Sequence, residues 1–339
     1  MSSTRLHVLS ASKDSDWWDH TLQRLRHDER DVHFTSAWGR AHEGPGAEAY
    51  LAVAEDTSRG FMVAQPMLLR RIDGTPFNDI TWPGYGGPFT DNALPALTDG
   101  QMLEVALGAW RMDRNVVSEF YMLNPVLAPA QFALLPRNLV MKLERGVIIL
   151  PADPAQVLKI MRPNRRESLR KGEGAEVEFC RPELAQALYD DAMHRLSAAD
   201  RWRLPGHMHH VSKMPNAIFG AYERGTLKAV GVFLFGMDVA YYYLAARAEE
   251  CPPGYSDQII MAGVQLAHER GCSWLHLGGG RTSATDDSLA AYKRSWGGII
   301  RPAYSVRRVH DADAYEALSG TWADTDLGFF PHYRREEIQ

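Results

Sequence analysis

Lys293 is one of only 7 lysines in a chain with 30 arginines, and it lies between Tyr292 and Trp296 in the stretch LHLGGGRTSATDDSLAAYKRSW, residues 275–296. An apolar strand ends here in three glycines, crosses a polar loop and enters a helical pattern. At about 100° per residue, Trp296 falls about 20° to one side of Leu289, with Tyr292 about 60° to the same side. Lys293 falls about 40° to the other side, at the border of the buried face, and Arg294, roughly 140° away, faces solvent. A lysine so placed either snorkels past the aromatics to water or points into a cleft, and spacing alone leaves both open. Asp286 and Asp287 read as the cap of the helix.

The three glycines fit neither G-x-x-x-x-G-K-[ST] nor G-x-G-x-x-G. They offer either a flexible corner or unobstructed approach to backbone at a strand's C-terminal end, where α/β sites commonly lie. MRPNRRESLRK (161–171) concentrates Arg162, Arg165, Arg166, Arg170 and Lys171 against Glu167 alone. It reads either as a solvated helix start, with Pro163 in an early position, or as a contact for an anionic substrate or RNA backbone. His207, His209 and His210 of HMHH follow Pro205–Gly206 in a predicted loop without a carboxylate or cysteine partner, which is poor metal-site chemistry. C-x-x-C, H-E-x-x-H and G-x-S-x-G are absent, so zinc and serine hydrolase readings have no motif behind them.

The elements that must position these residues come in two similar series. A helix over 16–30 precedes strands at 48–56 and 59–73, a Gly/Pro-rich loop at 80–92, a helix near 94–112 and a strand at 116–123. Residues 138–150 read as a hairpin turning at Glu144–Gly146. The second series has a helix over 154–172, a strand at 175–180, a helix near 183–196 and antiparallel strands across 216–247. A helix at 257–270, closed by Gly271, leads to the strand 272–278, a helix near 286–296 and a strand pair at 299–309. The shared helix–hairpin–helix–strand order predicts two related α/β domains, 1–148 and 149–309. The apolar residues of the tail 310–339 are expected to pack on the first.

At 339 residues the chain suits two domains of about 150 residues. Its 45% hydrophobic and 23% charged residues are ordinary for a globular protein, and no apolar run reaches the roughly 20 residues that span a bilayer. The opening MSSTRLHVLSASKDSDWW lacks the apolar core of a secretory leader, so a cytoplasmic protein is expected. Cys180, Cys251 and Cys272 are scattered and odd in number, which disfavours a disulfide framework. A net charge of −5 disfavours a surface made throughout for nucleic acid but leaves room for a local basic patch.

Three stretches resemble the Fem-like (FemABX) aminoacyltransferases, a branch of the GNAT acyltransferase superfamily. LHLGGG…DDSLAAYKRSWGG resembles that family's strand–glycine–helix segment with its aromatic–Lys–x–x–aromatic core, here Tyr292 to Trp296. WPGYGGPF (82–89) resembles its Tyr-Gly-Gly-Pro loop, and RPNRRESLRKGEGAEVEF its basic helix and first strand of the second domain. The resemblance, which covers nearly the whole chain, implies two GNAT-like domains in tandem, each a mixed, mostly antiparallel sheet flanked by helices, without the coiled-coil arm of some cell-wall members. It implies transfer of an amino acid from aminoacyl-tRNA to an amine of a cell-wall precursor or a small peptide-like natural product such as an antibiotic. No cofactor beyond the RNA co-substrate is expected.

By family position Lys293 neutralises charge near the ester, and Tyr85 and Arg203 bind acceptor, with Tyr243 lining the channel. Trp38, Gly279, Arg281 and Tyr292 complete the expected substrate-binding set, and Asp257 is a candidate general base. One departure bears on the donor. Where ordinary GNAT domains place a glycine-rich pyrophosphate loop, this chain has ARAEECPPGYSD (246–257). Its prolines lack N–H donors and its acids repel phosphate, which disfavours CoA. An acyl-CoA-dependent N-acyltransferase and an inactive twin-GNAT binding protein are the alternatives.

Overall fold

The computed structural model describes residues 4–197, 207–280, 287–320 and 329–338. In chain order, the first series is β1 (Thr4–Ser10), α1 (Ser15–Leu22), α2 (Ser36–Arg40), β2 (Ala47–Asp56), β3 (Phe61–Arg71) and β4 (Asn78–Gly86). It continues through β5 (Phe89–Thr90), α3 (Leu97–Met112), β6 (Val116–Leu123) and α4 (Ala128–Phe132). The second opens with β7 (Val140–Pro151), α5 (Pro154–Ile160), α6 (Pro163–Lys171), β8 (Glu176–Phe179), α7 (Pro182–Arg195) and α8 (His207–Val211). Then follow β9 (Asn216–Glu223), β10 (Thr226–Phe235), β11 (Val239–Arg247), α9 (Tyr255–Glu269), β12 (Trp274–Gly278) and α10 (Ser288–Arg294). The chain closes with β13 (Ile299–Val309) and α11 (Ala312–Ser319).

Two compact units result: Met1–Arg26, His33–Leu143 and Ala303–Gln339 form one, and His27–Val32 with Glu144–Pro302 the other. Residues 27–32 do not extend the predicted 16–30 helix. α1 stops at Leu22, and the Arg30 carbonyl accepts from Met237 N at 3.0 Å.

In the first unit the strand order is β1-β2-β3-β4-β6-β13, with β5 beside β3. Neighbours are antiparallel except the β4–β6 pair. β3 is buried along its first eight residues, which is why FMVAQPML is nearly continuous in apolar side chains rather than alternating. Leu103 and Leu107 of α3 close one face over Val63, Met67, Ile80 and Val116.

The second unit repeats the plan as β7-β12-β11-β10-β9-β8, with β11 and β12 parallel. The apolar stripe Ile259, Ile260, Val264 and Ala267 of α9 buries against Phe233, Leu275 and Leu277, with Trp296 of the following segment in the same core.

The differences from the predicted elements have local causes. Residues 80–92 are not a loop: β4 runs to Gly86, with Pro83–Tyr85 bulged out between the pairs Trp82↔Tyr121 and Gly86↔Leu123. The expected hairpin at 138–150 is one strand. Gly146 marks a close approach instead of a turn, since a Cβ there would lie 2.7 Å from Ile300 Cγ2. Likewise 299–309 is one strand, not two. The predicted 154–172 helix breaks at Met161 and Arg162, which take extended ψ values of 136° and 150° ahead of Pro163. Among the described residues no helix is long and apolar enough to cross a membrane.

Candidate active site

β11 and β12 pair only as far as Tyr241↔His276. Beyond that point β11 continues to Arg247, while β12 stays with β7 through Gly278↔Ile148. The two parallel strands therefore part, and a cavity of about 790 Å³ lies beside the free length of β11. Its walls come from Arg165 of α6, Arg195 of α7, Arg247 of β11, the start of α9 and Tyr292 of α10. β11 also carries a bulge. Val232 faces Leu244 and Phe233 faces Tyr242, so Tyr243 is the extra residue. Tyr85, on the bulge of β4, occupies the matching strand of the first unit.

The floor of the cavity is a polar cluster. Asp257, in the first turn of α9 and 2% exposed, accepts from Arg165 Nη1 at 2.9 and 2.8 Å and from Tyr292 Oη at 2.7 Å. The Arg165 guanidinium also lies 4.3 Å over the Tyr292 ring and donates through Nε to Ser295 Oγ at 2.9 Å. Burial, then the neighbouring Tyr242 and Asp257, push the Tyr292 phenol well above its ordinary range, so it stays a donor. In this arrangement Asp257, the expected candidate base, is committed to two donors. Both its oxygens are held by a guanidinium and a phenol, and it anchors α9 to α6 and α10.

Lys293 turns away from Tyr292 and donates to the Gly279 carbonyl at 2.9 Å. Gly278 makes room for it: its φ of 79° is left-handed, and a Cβ there would sit 3.1 Å from Nζ. Burial lowers the lysine to about 8, partly offset by Asp287, whose side chain caps α10 by accepting from Ala290 N at 2.8 Å. Gly279 thus acts through its carbonyl, at the C-terminal end of β12.

The remaining expected residues divide. Tyr243 bonds His207 Nε2 at 2.8 Å, and burial, reinforced by His210, brings that histidine down to about 4, leaving it neutral at physiological pH. His207 belongs to the short helix α8 rather than a loop, and no group of three metal-ligating side chains occurs among the described residues. Trp38, 1% exposed, donates to the Pro83 carbonyl at 2.9 Å and packs edge-on against His33, which in turn meets Tyr85. It supports the Tyr85 bulge and presents no face to a ligand. Arg203 and Arg281 lie outside the described residues. Sequence reasoning did not single out Arg165. Its signal is position: with Ser168 and Leu169 it makes the face of α6 that turns toward α9.

No protein-family model and no curated protein matches the sequence. Solved structures do. FemX superposes with a TM-score of 0.66 at 11% identity, over 92% of this chain and 99% of its own. The fold is Fem-like. The structure of L-PGS from Bacillus licheniformis matches at 0.52 and 15% identity, over 88% of this chain and 93% of that one. A tandem GNAT protein from the clavulanic acid biosynthesis pathway matches at 0.50 and 12%, over 90% and 98%. At these identities the likeness is one of fold: two GNAT-like units in tandem, as the two strand orders above describe.

Proposed function

We propose that this Fem-like chain is an acyltransferase whose donor is an aminoacyl-tRNA, and that it forms an amide on the amino group of a small peptide-like or cell-wall acceptor. The aminoacyl ester would enter where β11 and β12 part. The observation that carries the choice of donor is the start of α9, the helix terminus at which a CoA pyrophosphate would otherwise be held. Here α6 packs closely against it, although the turn still lines the cavity. A Cβ on Gly254 would lie 2.1 Å from the Ser168 carbonyl oxygen, and Gln258 Nε2 donates to the Leu169 carbonyl at 2.8 Å. Carbonyl oxygens of α6 lie beside this turn, and Pro252 and Pro253 contribute no N–H donors to it.

The chemistry asks little of the protein. The amine nitrogen bonds to the ester carbon, the ribose oxygen leaves, and the proton lost by one is taken up by the other, so positioning and oxyanion stabilisation suffice. Lys293 supplies positive charge at the strand end. A second reading, an acyl-CoA donor, draws on Arg195 and Arg247 at the cavity rim. Incubation with radiolabelled aminoacyl-tRNAs and an amine acceptor pool should label the acceptor in an RNase-sensitive way. Labelling from acetyl-CoA that survives RNase would overturn the reading in favour of the second.

A further inference from the structure

α6 divides its side chains between two tasks. Arg165, Ser168 and Leu169 turn inward, the first two lining the cavity. Arg162, Arg166 and Arg170, at the i, i+4, i+8 spacing of one face, are exposed, as is Lys171. Six cations and two carboxylates fall between Lys159 and Glu173, in a chain whose net charge is −5. Arg166 is partly committed, since it donates to the Met161 and Lys159 carbonyls. Among the described residues Arg170 and Lys171 pair with Glu167, with side chains 69% and 59% exposed, and such surface pairs hold their partners weakly.

We infer that the outer face of α6 is a rail for the sugar–phosphate backbone of an RNA donor, running from the cavity mouth along Arg162, Arg170 and Lys171. This rests on the aminoacyl-tRNA reading. The dimensions agree: nine residues of helix are about 13 Å long, the axial length of roughly four base pairs of a stem at about 3.4 Å each. The same helix would then serve both ends of the donor, with Arg165 beneath the ester and the outer cations beneath the acceptor stem. A basic helix facing solvent could also meet an anionic membrane, but the continuity of this face with the cavity favours a ligand that occupies both.

The test is the triple variant Arg162→Gln, Arg170→Gln, Lys171→Gln, with circular dichroism to show that it folds. Transfer is compared for full-length aminoacyl-tRNA and for an aminoacylated CCA trinucleotide, which lacks the acceptor stem that the outer cations of α6 would hold. The expected result is a KM for the full tRNA raised about 10-fold or more, kcat unchanged, and a log–log salt slope of tRNA binding lowered by about 2 to 3. The trinucleotide should be used equally well by both proteins. Equal KM values for the full tRNA, or equal losses for both donors, would overturn the rail while leaving the donor assignment standing. Binding of uncharged tRNA that depends on the three cations, without transfer from any RNA donor, would do the reverse. Phosphatidylglycerol vesicles that bind wild type but not the variant, with tRNA use unaffected, would reassign the face to a membrane.

Discussion

An ammonium that has lost most of its water gives up its proton more readily, and Lys293 sits at about 8 for that reason. The sign of the linkage follows. Between about pH 8 and 10.5 the unfolded chain holds this proton and the native one does not, so stability rises with pH across that window. Below pH 8 the penalty is fully present. Lys293→Met should therefore stabilise the protein by about 1–3 kcal/mol at pH 7 in urea denaturation, while transfer falls about 100-fold or more. A variant that is inactive and also less stable would mean the lysine is a structural strut. Helical spacing alone put Lys293 at the edge of the buried face and left its direction open. What decided the direction is a carbonyl 14 residues away, freed by the left-handed turn at Gly278, and no periodicity within the helix encodes that.

Helices α6, α9 and α10 meet at one carboxylate, and this junction holds Tyr292 at the cavity floor. Removing one partner of such a buried pair leaves the other charge uncompensated, so Asp257→Leu or Arg165→Leu alone should cost about 3–5 kcal/mol in thermal unfolding. The double variant should recover most of that loss, because both charges leave together; additive losses would contradict the clamp. At the same junction Gly254→Ala should be severely destabilising, since its φ is 86° and the new Cβ would strike the Ser168 carbonyl, whereas Ala at the open Gly174 should change little. The long amphipathic and wholly apolar elements were legible in the sequence because packing on one face imposes a period. Bulged strands were not. Pro83–Tyr85 and Gly146 carry the residue types of turns, yet serve close approach and side-chain redirection inside strands.

Each unit is assembled around a fourth strand with a parallel partner, and the order of elements that makes this possible was readable as two matching series. The charge networks within the units were not readable, because they join residues far apart in the chain. In the first unit Glu119, 1% exposed, accepts from Arg111 at 3.0 Å, from His310 at 3.1 Å and from Gln65, while Arg111 and Arg308 also meet Glu104. Burial alone would raise the Glu119 carboxyl, but Arg111, His310 and Gln65 outweigh it and hold it well below its ordinary 4.5. Stability from this carboxylate is present above about pH 4.5 and is lost as pH falls toward the native value, since there the unfolded chain binds the proton first. Trp18, Trp38 and Trp82, buried among the described residues of this unit, should report the loss. In urea titrations followed by tryptophan fluorescence, wild type should weaken markedly between pH 5 and pH 3. Glu119→Gln, about 1–3 kcal/mol less stable at pH 7 because Arg111 loses its buried counter-charge and keeps Glu104, should show a shallower acid limb, so that the two proteins converge. Parallel curves would show that the acid sensitivity of the unit lies elsewhere.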